Sequence, residues 1–521
     1  MLDNIDAGRT EGMNDKKHIH LIGICGTAMA SLAGMLKQRG FRVTGSDAAA
    51  YPPMSDFLGE LGIPVAQPFD ARNVDPQNAD PSGRSRPDLV VVGNAVSRGN
   101  PELEQVLDQR IPFCSLPQLL HDEFLRGKEV LVVAGTHGKT TTTSMLAWIF
   151  HTAGLQPSFL IGGIAENFGS SFKLGQGKHF IIEGDEYDSA FFDKGPKFLH
   201  YFPDAAILTS VEFDHADIYK DLDAVETAFK RLVNLVPRRG RIVAFDGASS
   251  SLSPDGEPAA ASIDRSISKA FCAVEHYGSK ETSAWRIANL QLQPGRTAWS
   301  ILHQGRLWAD FEFALAGEYN VWNATAAAAL AAGCGLSKDE ISAALKTFKS
   351  VKRRLEVKAQ VNGITIIDDF AHHPTAIAGT LKALRSRYPA SRLWVILEPR
   401  SNTLRRRVLQ QDLARSLALA DQIVVAEVFR SDAVPENERL DLPALAADLR
   451  QHGRQVRLLA DADAIVQTVA PEMRSGDVVA ILSNGGFGGI YEKLPARLRS
   501  LEGENSHQSS AKDPANATAK A

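Results

Sequence analysis

Cysteine is scarce in this chain of 521 residues. The four thiols, Cys25, Cys114, Cys272 and Cys334, are scattered and form no C-x-x-C pair. That excludes a disulfide-stapled scaffold and a thiolate zinc cluster, and is the pattern of reduced, packed cysteines in a cytoplasmic protein. Net charge is nearly absent as well, −4 from 57 basic and 61 acidic residues. Neither sign has a surplus able to steer a nucleic acid or an anionic membrane surface, so neither partner is expected. No apolar run approaches the roughly 20 residues needed to span a bilayer. The opening residues, MLDNIDAGRTEGMNDKK, are acidic and polar and lack the apolar core of a secretory signal. What is present is ordinary: 44% hydrophobic residues can build cores, and 23% charged residues are typical of a soluble chain. At about 150 residues per domain the length suggests about three domains. The expectation is a multi-domain cytoplasmic enzyme or ATPase, a monomer or weak dimer.

Apolar runs divide the chain. Residues 1–17 read as a disordered N-terminus. From His18, a strand (Ile19 to Ile22), a Gly turn, a helix (Ala28 to Gln38) and a second strand (Phe41 to Thr44) lead to the later strand DLVVVGNAV, within a first unit spanning 18–127. The second unit, 128–350, starts with EVLVVAGTHGKTTTT and continues through HFIIEGDE and AAILTSVEFDH. It closes with the Ala-rich helix NVWNATAAAALAAG. A Ser/Pro/Ala/Asp-rich stretch without periodicity predicts a surface insertion at 246–268. The third unit, 351–500, offers ITIIDDF, RLWVILEP, QIVVAEV and DVVAILSNGG as strands, and the polar tail 501–521 reads as disordered. Alternation of this kind predicts an α/β protein with parallel sheets and ligand loops at the strands' C-terminal ends.

The most informative stretch is Glu129 to Thr143. A β-branched run ends at Gly135, turns through Thr136, His137 and Gly138, and enters a helix at Lys139, Thr140 and Thr141. Backbone N–H groups and the helix dipole at such a turn hold a polyphosphate, with Lys139 as a point charge and the Thr140 hydroxyl as a ligand for Mg²⁺. The loop G-T-H-G-K-T is a shortened variant of G-x-x-x-x-G-K-[ST], since Val133 stands where the first Gly would be.

Other residues gain meaning from that loop. Glu183 and His215 each read as ending a strand beside it. A carboxylate with a Thr hydroxyl suits Mg²⁺; His215 fits a second ion, a water, or simply a strand cap. Asn320 and Asn323 share a helix face, placed to meet an adenine or to cap the helix. Arg353 and Arg354 follow the second unit, either as a solvated pair or as a hinge arginine reaching back to a γ-phosphate. The turn Gly23-Ile24-Cys25-Gly26 with Asp47 imitates a dinucleotide fingerprint, but Cys25 replaces its second Gly and no third Gly follows. A phosphate-binding turn survives; NAD specificity does not follow. A nicotinamide enzyme and a non-catalytic ATP switch are the competing classes.

Together GTHGKT, the Glu of EGDEYD, the DH of EFDHADIY, GEYNVWN, the Arg before LE in KRRLE, and DDFAHHP resemble the Mur ligases, ATP-dependent amide-forming enzymes of peptidoglycan synthesis. The resemblance spans about His18 to Ser500. It implies three domains: a Rossmann-like N-terminal one for a UDP-sugar, a P-loop ATPase-like central one, and a Rossmann-like C-terminal one that closes on ATP. It implies ATP-binding residues Gly135, Thr136, His137, Gly138, Lys139, Thr140, Thr141, Asn320, Asn323, Arg354, Asp369 and His372. Metal would lie on Thr140, Glu183 and His215, and the catalytic set would be Lys139, Glu183, His215 and Arg354. UDP-sugar would meet Gly23, Cys25, Gly26, Thr27, Ser46, Asp47 and Asn94, and peptide would meet Arg400 and Asn402. GICGTAM, GSDAAAYPPMS, GNAVSRGNPE, EGDEYDSAFFDK and EPRSNT are similar to the branch that joins L-Ala-γ-D-Glu-meso-diaminopimelate to UDP-N-acetylmuramate in cell-wall recycling. The branch that adds L-alanine has a Gly where Cys25 stands and ESD in place of Glu186-Tyr187-Asp188. Some members carry a carbamylated lysine as a metal bridge; Lys230 lies near that region, and this chain is expected to lack the bridge.

Overall fold

Strands rich in Val, Ile and Leu fill the middle of three sheets, parallel at their centres and in two cases antiparallel at an edge, because a strand covered by helices on both faces must be apolar throughout. The computed structural model describes residues 17–50, 54–75, 86–247 and 260–510. In the first unit β1 (His18–Ile22), β2 (Arg42–Ser46), β3 (Val65–Ala66), β4 (Leu89–Val92) and β5 (Phe113–Ser115) lie in the order β3-β2-β1-β4-β5. All pairings are parallel. The order reverses beside β1, and that switch point is where a doubly wound sheet opens a crevice for ligand.

The central unit is built on β6 (Glu129–Ala134), β7 (Ser158–Ala165), β8 (Ser170–Lys173) and β9 (His179–Gly184), followed by a hairpin of β10 (Asp188–Ala190) and β11 (Asp193–Pro196). It continues with β12 (Ala205–Leu208), β13 (Arg241–Phe245), β14 (Ala273–Gly278), β15 (Trp285–Gln293), β16 (Arg296–His303) and β17 (Arg306–Phe313). Ten of these form one sheet in the order β17-β16-β15-β14-β13-β12-β6-β9-β7-β8. β6 runs between β9 and β12, parallel to both. The strand of Glu183 and the strand that precedes His215 therefore flank the phosphate-loop strand and do not pair with each other. β12 stops at Leu208, so His215 stands on a loop and not at a strand end, since polar Ser210, Glu212 and Asp214 turn to bond other segments.

The third unit holds β18 (Glu356–Val361), β19 (Ile364–Asp369), β20 (Leu393–Leu397), β21 (Gln422–Ala426), β22 (Gln455–Leu459) and β23 (Val478–Leu482), in the order β18-β19-β23-β20-β21-β22. Only β18 is antiparallel to its neighbour.

Two expectations meet a different structure. Within 246–268, residues 248–259 lie outside the described residues, but Ala261–Ile267 is a helix with Ile263 and Ile267 buried and Arg265 bonded to Glu226 at 2.8 Å. Its two isoleucines, four apart, supply the apolar stripe that the composition hid. The last helix runs Ile490–Ser510, past the expected end of order near Leu501. Extending an existing helix needs no new nucleus, so polar residues join it cheaply. Residues 1–16 and 511–521, also read as disordered, lie outside the described residues.

One buried apolar cluster runs through the first and central units, whereas the third unit has its own clusters on the two faces of its sheet. The seam between the first two is close: a Cβ on Gly34 would lie 2.6 Å from the Phe172 ring, and the hydroxyls of Ser31 and Ser171 are 2.8 Å apart. Among the described residues no helix is long and apolar enough to cross a membrane.

Candidate active site

β6 delivers the chain to a loop that left-handed glycines make possible. Gly138 has φ +79° and is the N-cap of helix Lys139–Thr152, with no side chain capping it, so the first-turn N–H groups face outward. A Cβ on Gly138 would lie 2.6 Å from Asn323 Oδ1; one on Gly135 (φ +141°) would lie 2.1 Å from the Thr209 hydroxyl. Thr136 N–H and His137 N–H are tied to Ser210. An anion site of backbone amides is thereby held in shape before any ligand arrives.

Lys139 folds over this loop. Its ammonium donates to Gly135 O at 2.6 Å and to the two Glu186 carboxylate oxygens at 2.8 and 3.0 Å. Burial disfavours the charge on Lys139, but Glu186, Asp185 and Glu183 around it outweigh that and raise its pKa. Glu186 is buried and also faces His215 Nε2 at 3.3 Å, while its carbonyl accepts from the Tyr219 hydroxyl at 2.6 Å. Glu186 is absent from the residues expected at the site; its contacts with Lys139 and His215 separate it from the other acids of EGDEYD.

Thr140 donates its hydroxyl to Glu183 Oε1 at 3.1 Å, and Gly162 N–H donates to Glu183 Oε2 at 2.8 Å. Burial pushes the Glu183 carboxyl up, more than Lys139, Gly162 and Thr140 bring it down. A hydroxyl and a half-buried carboxylate short of charge compensation fit a hard, oxygen-seeking divalent cation. His215, expected as a third ligand, is instead engaged by Glu186. Burial lowers its pKa, but Glu186 and Asp214 more than reverse this, and the net shift is upward. His215 also sits at φ +55°, a strained position for a non-glycine residue. Lys230 pairs with Glu226 one helical turn away, at 3.6 Å.

A cavity of about 1440 Å³ opens beside the loop, lined among others by His137, Thr141, Asn323, Arg354, Asp369 and His373. The side chains of Phe245, Tyr277 and Trp322 form an aromatic wall along it, with Phe245–Trp322 and Phe245–Tyr277 centroids 5.1 and 5.4 Å apart. That wall, unread in the sequence, suits a flat purine. Asn320 and Asn323 also line the cavity, and neither caps their helix: Gly317 is the N-cap, and Asn320 donates to Ala316 O at 2.8 Å.

The arginine pair divides. Arg353 is structural, bound to Asp368, Ser483 O and Gly485 O, while Arg354 faces the cavity with its guanidinium 5.2 Å from the Phe370 ring centroid. Asp369 accepts Leu355 N–H and Ala371 N–H, both at 2.8 Å. His372, expected beside the nucleotide, lines a second cavity of about 380 Å³, and it is His373 that lines the large one. Successive residues leaving β19 turn to opposite sides: His372 Nδ1 is held 2.9 Å from Phe370 O, and His373 caps helix Pro374–Arg387. Burial lowers the His372 pKa to about 4.

The second cavity is strongly basic. Arg400, Asn402, Arg405 and Arg430 line it together with Phe429 and His215. Arg400 lies 3.8 Å over the Phe429 ring centroid and Arg430 5.4 Å from it. Arg405 donates to Asn402 Oδ1, and burial together with Arg406 and Arg430 lowers its pKa. In sequence Arg405 opens the run Arg405-Arg406-Arg407 and Arg430 stands in a loop, and both read as ordinary solvated charge.

The loop 212–217 after β12 joins the two cavities to the third unit. Thr375 donates to Glu212 at 2.6 Å, Thr403 to Asp214 at 2.5 Å, and Asn402 to Asp217 at 2.7 Å.

In the first unit, the turn after β1 has Gly23 at φ +81°, and Asp47 Oδ2 accepts Cys25 N–H at 2.9 Å. Gly26 caps helix Thr27–Gln38 without a side-chain bond, and Thr27 and Asn94 are exposed nearby. Burial and Asp47 push the Cys25 thiol up to about 11, so it stays protonated. Ser46 departs from expectation: it is fully buried and its hydroxyl binds Glu102, because Glu102 needs donors to offset its own burial.

Comparison with known proteins agrees with this geometry. The model described as "Mur ligase family, catalytic domain" matches residues 18–126, "Mur ligase middle domain" matches 133–331, and "Mur ligase, glutamate ligase domain" matches 353–485. The chain is 41% identical to the UDP-N-acetylmuramate--L-alanyl-gamma-D-glutamyl-meso-2,6-diaminoheptandioate ligase of Escherichia coli (strain K12), over 91% of this chain and 97% of that protein. It is 32% identical to the UDP-N-acetylmuramate--L-alanine ligase of Methylococcus capsulatus, over 94% of this chain and 98% of that one. The crystal structure of a murein peptide ligase from Psychrobacter arcticus 273-4 superposes with a TM-score of 0.68 at 36% identity, over 92% and 98% of the two chains.

Proposed function

Because this chain belongs to the Mur ligase family, we propose that it joins the tripeptide L-Ala-γ-D-Glu-meso-diaminopimelate to UDP-N-acetylmuramate at the expense of ATP. The observation that carries the choice of amine is the basic cavity of Arg400, Arg405 and Arg430. L-Alanine has one carboxylate; the tripeptide has three, and planar guanidinium forks suit them. Asn402 and the Phe429 platform complete that subsite.

The lactyl carboxylate of the sugar attacks the γ-phosphorus of ATP and expels ADP, giving an acyl phosphate. The peptide's alanyl amine then attacks the acyl carbon, loses a proton, and phosphate leaves. Lys139 and Arg354 offset charge that gathers as anions meet, and Glu186, braced by His215, aims the Lys139 ammonium. The amides of the first helical turn, from Gly138 to Thr141, hold the polyphosphate in the loop that begins at Gly135, Asp369 fixes the hinge beside Arg354, and the aromatic wall with Asn320 and Asn323 holds the purine. Thr140 and Glu183 would hold Mg²⁺, which when bound supplies further neutralisation of the polyphosphate. The turn at Gly23, Cys25 and Gly26, with Thr27, Asp47 and Asn94, receives the UDP diphosphate at a helix N-terminus.

The test is phosphate release from ATP with UDP-N-acetylmuramate, comparing tripeptide with L-alanine. The tripeptide is expected to drive turnover and L-alanine to fail at equal concentration; preference for L-alanine overturns the assignment.

A further inference from the structure

Three metal-ligating side chains converge where the phosphate loop meets the third unit. His137 comes from the loop after β6, Glu212 from the segment after β12, and His373 from the turn before helix Pro374–Arg387. His137 Nε2 lies 3.4 Å from Glu212 Oε2, and His373 Nδ1 lies 3.8 Å from the same oxygen. Ligand atoms of the three all lie within 4.8 Å of one another, the one such group found among the described residues. For metal bonds of about 2.0–2.1 Å, the donors of a tetrahedral site stand roughly 3.4 Å apart. The trio needs little movement to reach that spacing.

The hydrogen bonds leave these atoms as donors to a cation. His373 Nε2 lies 3.3 Å from Phe213 O, which places its proton there and leaves a lone pair on Nδ1. That lone pair takes only a long bond, 3.3 Å, from Thr375 N–H. The same nitrogen lies 3.8 Å from a Glu212 carboxylate oxygen, and a cation bound there would take the place of the Thr375 N–H bond. His137 Nε2 is buried without a hydrogen-bond partner. Glu212 is oriented by the Thr375 hydroxyl at 2.6 Å, the kind of outer bond that aims a ligating carboxylate.

We propose that His137, Glu212 and His373 form a site for a transition-metal cation of the Zn²⁺ class, bridging the phosphate loop and the third unit. The donor set, two imidazoles and one carboxylate, is borderline-soft and prefers Zn²⁺ or Co²⁺ to Mg²⁺. It is therefore distinct from the all-oxygen pair of Thr140 and Glu183. All three side chains line the large cavity, so a fourth position opens to water or to an oxygen of whatever the cavity binds. A cation held there ties the loop to His373 and opposes separation of the two units.

Co²⁺ is the probe, titrated into the full chain in excess Mg²⁺ and followed by the visible absorption of tetrahedral Co²⁺. The expected result is one Co²⁺ per chain, displaced by Zn²⁺, with affinity reduced roughly tenfold or more in both His373→Ala and Glu212→Gln. His215→Ala, altered at the neighbouring site, is expected to keep the band. Glu212→Gln is nearly isosteric, and thermal melting checks that each variant is folded. Absence of a band in the unaltered protein, or a band that survives both His373→Ala and Glu212→Gln, overturns the proposal.

Discussion

The hydroxyl of Thr403 in the third unit donates to Asp214 at 2.5 Å and accepts Ala216 N–H at 3.2 Å, so one side chain holds the loop that carries His215. Thr403→Val keeps the shape and removes both bonds. Turnover is expected to fall about tenfold, since a misaligned pair of units loses orientation, while nucleotide affinity stays unchanged. Steady-state kinetics beside nucleotide calorimetry checks this; equal losses in both would show that Thr403 serves binding instead.

Lys139 separates chemistry from sugar binding. Lys139→Ala is expected to cut turnover by about 10²–10³ or more, as for loss of a charge aimed at the transition state. Affinity for the UDP-sugar, which the proposed assignment puts on another unit, should hold. Calorimetry that finds the sugar affinity gone in this variant contradicts the division of labour.

Arg405→Ala and Arg430→Ala probe the basic cavity. Each is expected to raise KM for the tripeptide by roughly 10- to 100-fold, the worth of a charge-assisted bond of about 1.5–3 kcal/mol. KM for ATP should not move. Unchanged tripeptide KM in both variants would place the peptide elsewhere.

Glu102 sets an acid limit on stability. Burial raises its pKa, yet His20, Ser46 and Asn73 together bring it below the ordinary value. A depressed carboxyl contributes stability that is complete above the unfolded value of about 4.3 and is lost as pH falls through the folded pKa. Glu102→Ala is expected to destabilise by about 3 kcal/mol at neutral pH, because its donors are left buried and unpaired. Its melting temperature should also fall less steeply on acidification than that of the parent; parallel pH profiles would refute the linkage.

The phosphate loop was legible because its signal is local: strand, glycines, lysine and threonine occupy consecutive positions, and backbone geometry follows from them. β1, β6, β19 and β23 announced themselves through β-branched runs. Long-range facts were not legible. EGDEYD offers several carboxylates, and only the fold shows Glu183 beside Thr140 and Glu186 beneath Lys139. Arg353 and Arg354 look alike in sequence until β19 and the loop after β23 claim the first. His215 was read as a strand end because the apolar run before it hides that β12 stops at Leu208. The antiparallel extension β15 to β17 was unread, its mixed polar faces resembling loop more than the buried strands around it. Ser46 shows the opposite error, a plausible ligand contact that Glu102 has already taken.

The apolar core shared by the first and central units has a kinetic corollary. Parting those two would wet Phe172 and its neighbours, whereas parting the third breaks chiefly polar bonds such as Thr375–Glu212 and Asn402–Asp217. The cheaper motion is therefore a swing of the third unit about residues 351–355, where Arg353 and Arg354 lie and two left-handed residues bend the chain. On the proposed assignment, acid and phosphoryl donor ride one chassis and can load in advance, while the amine travels on the door.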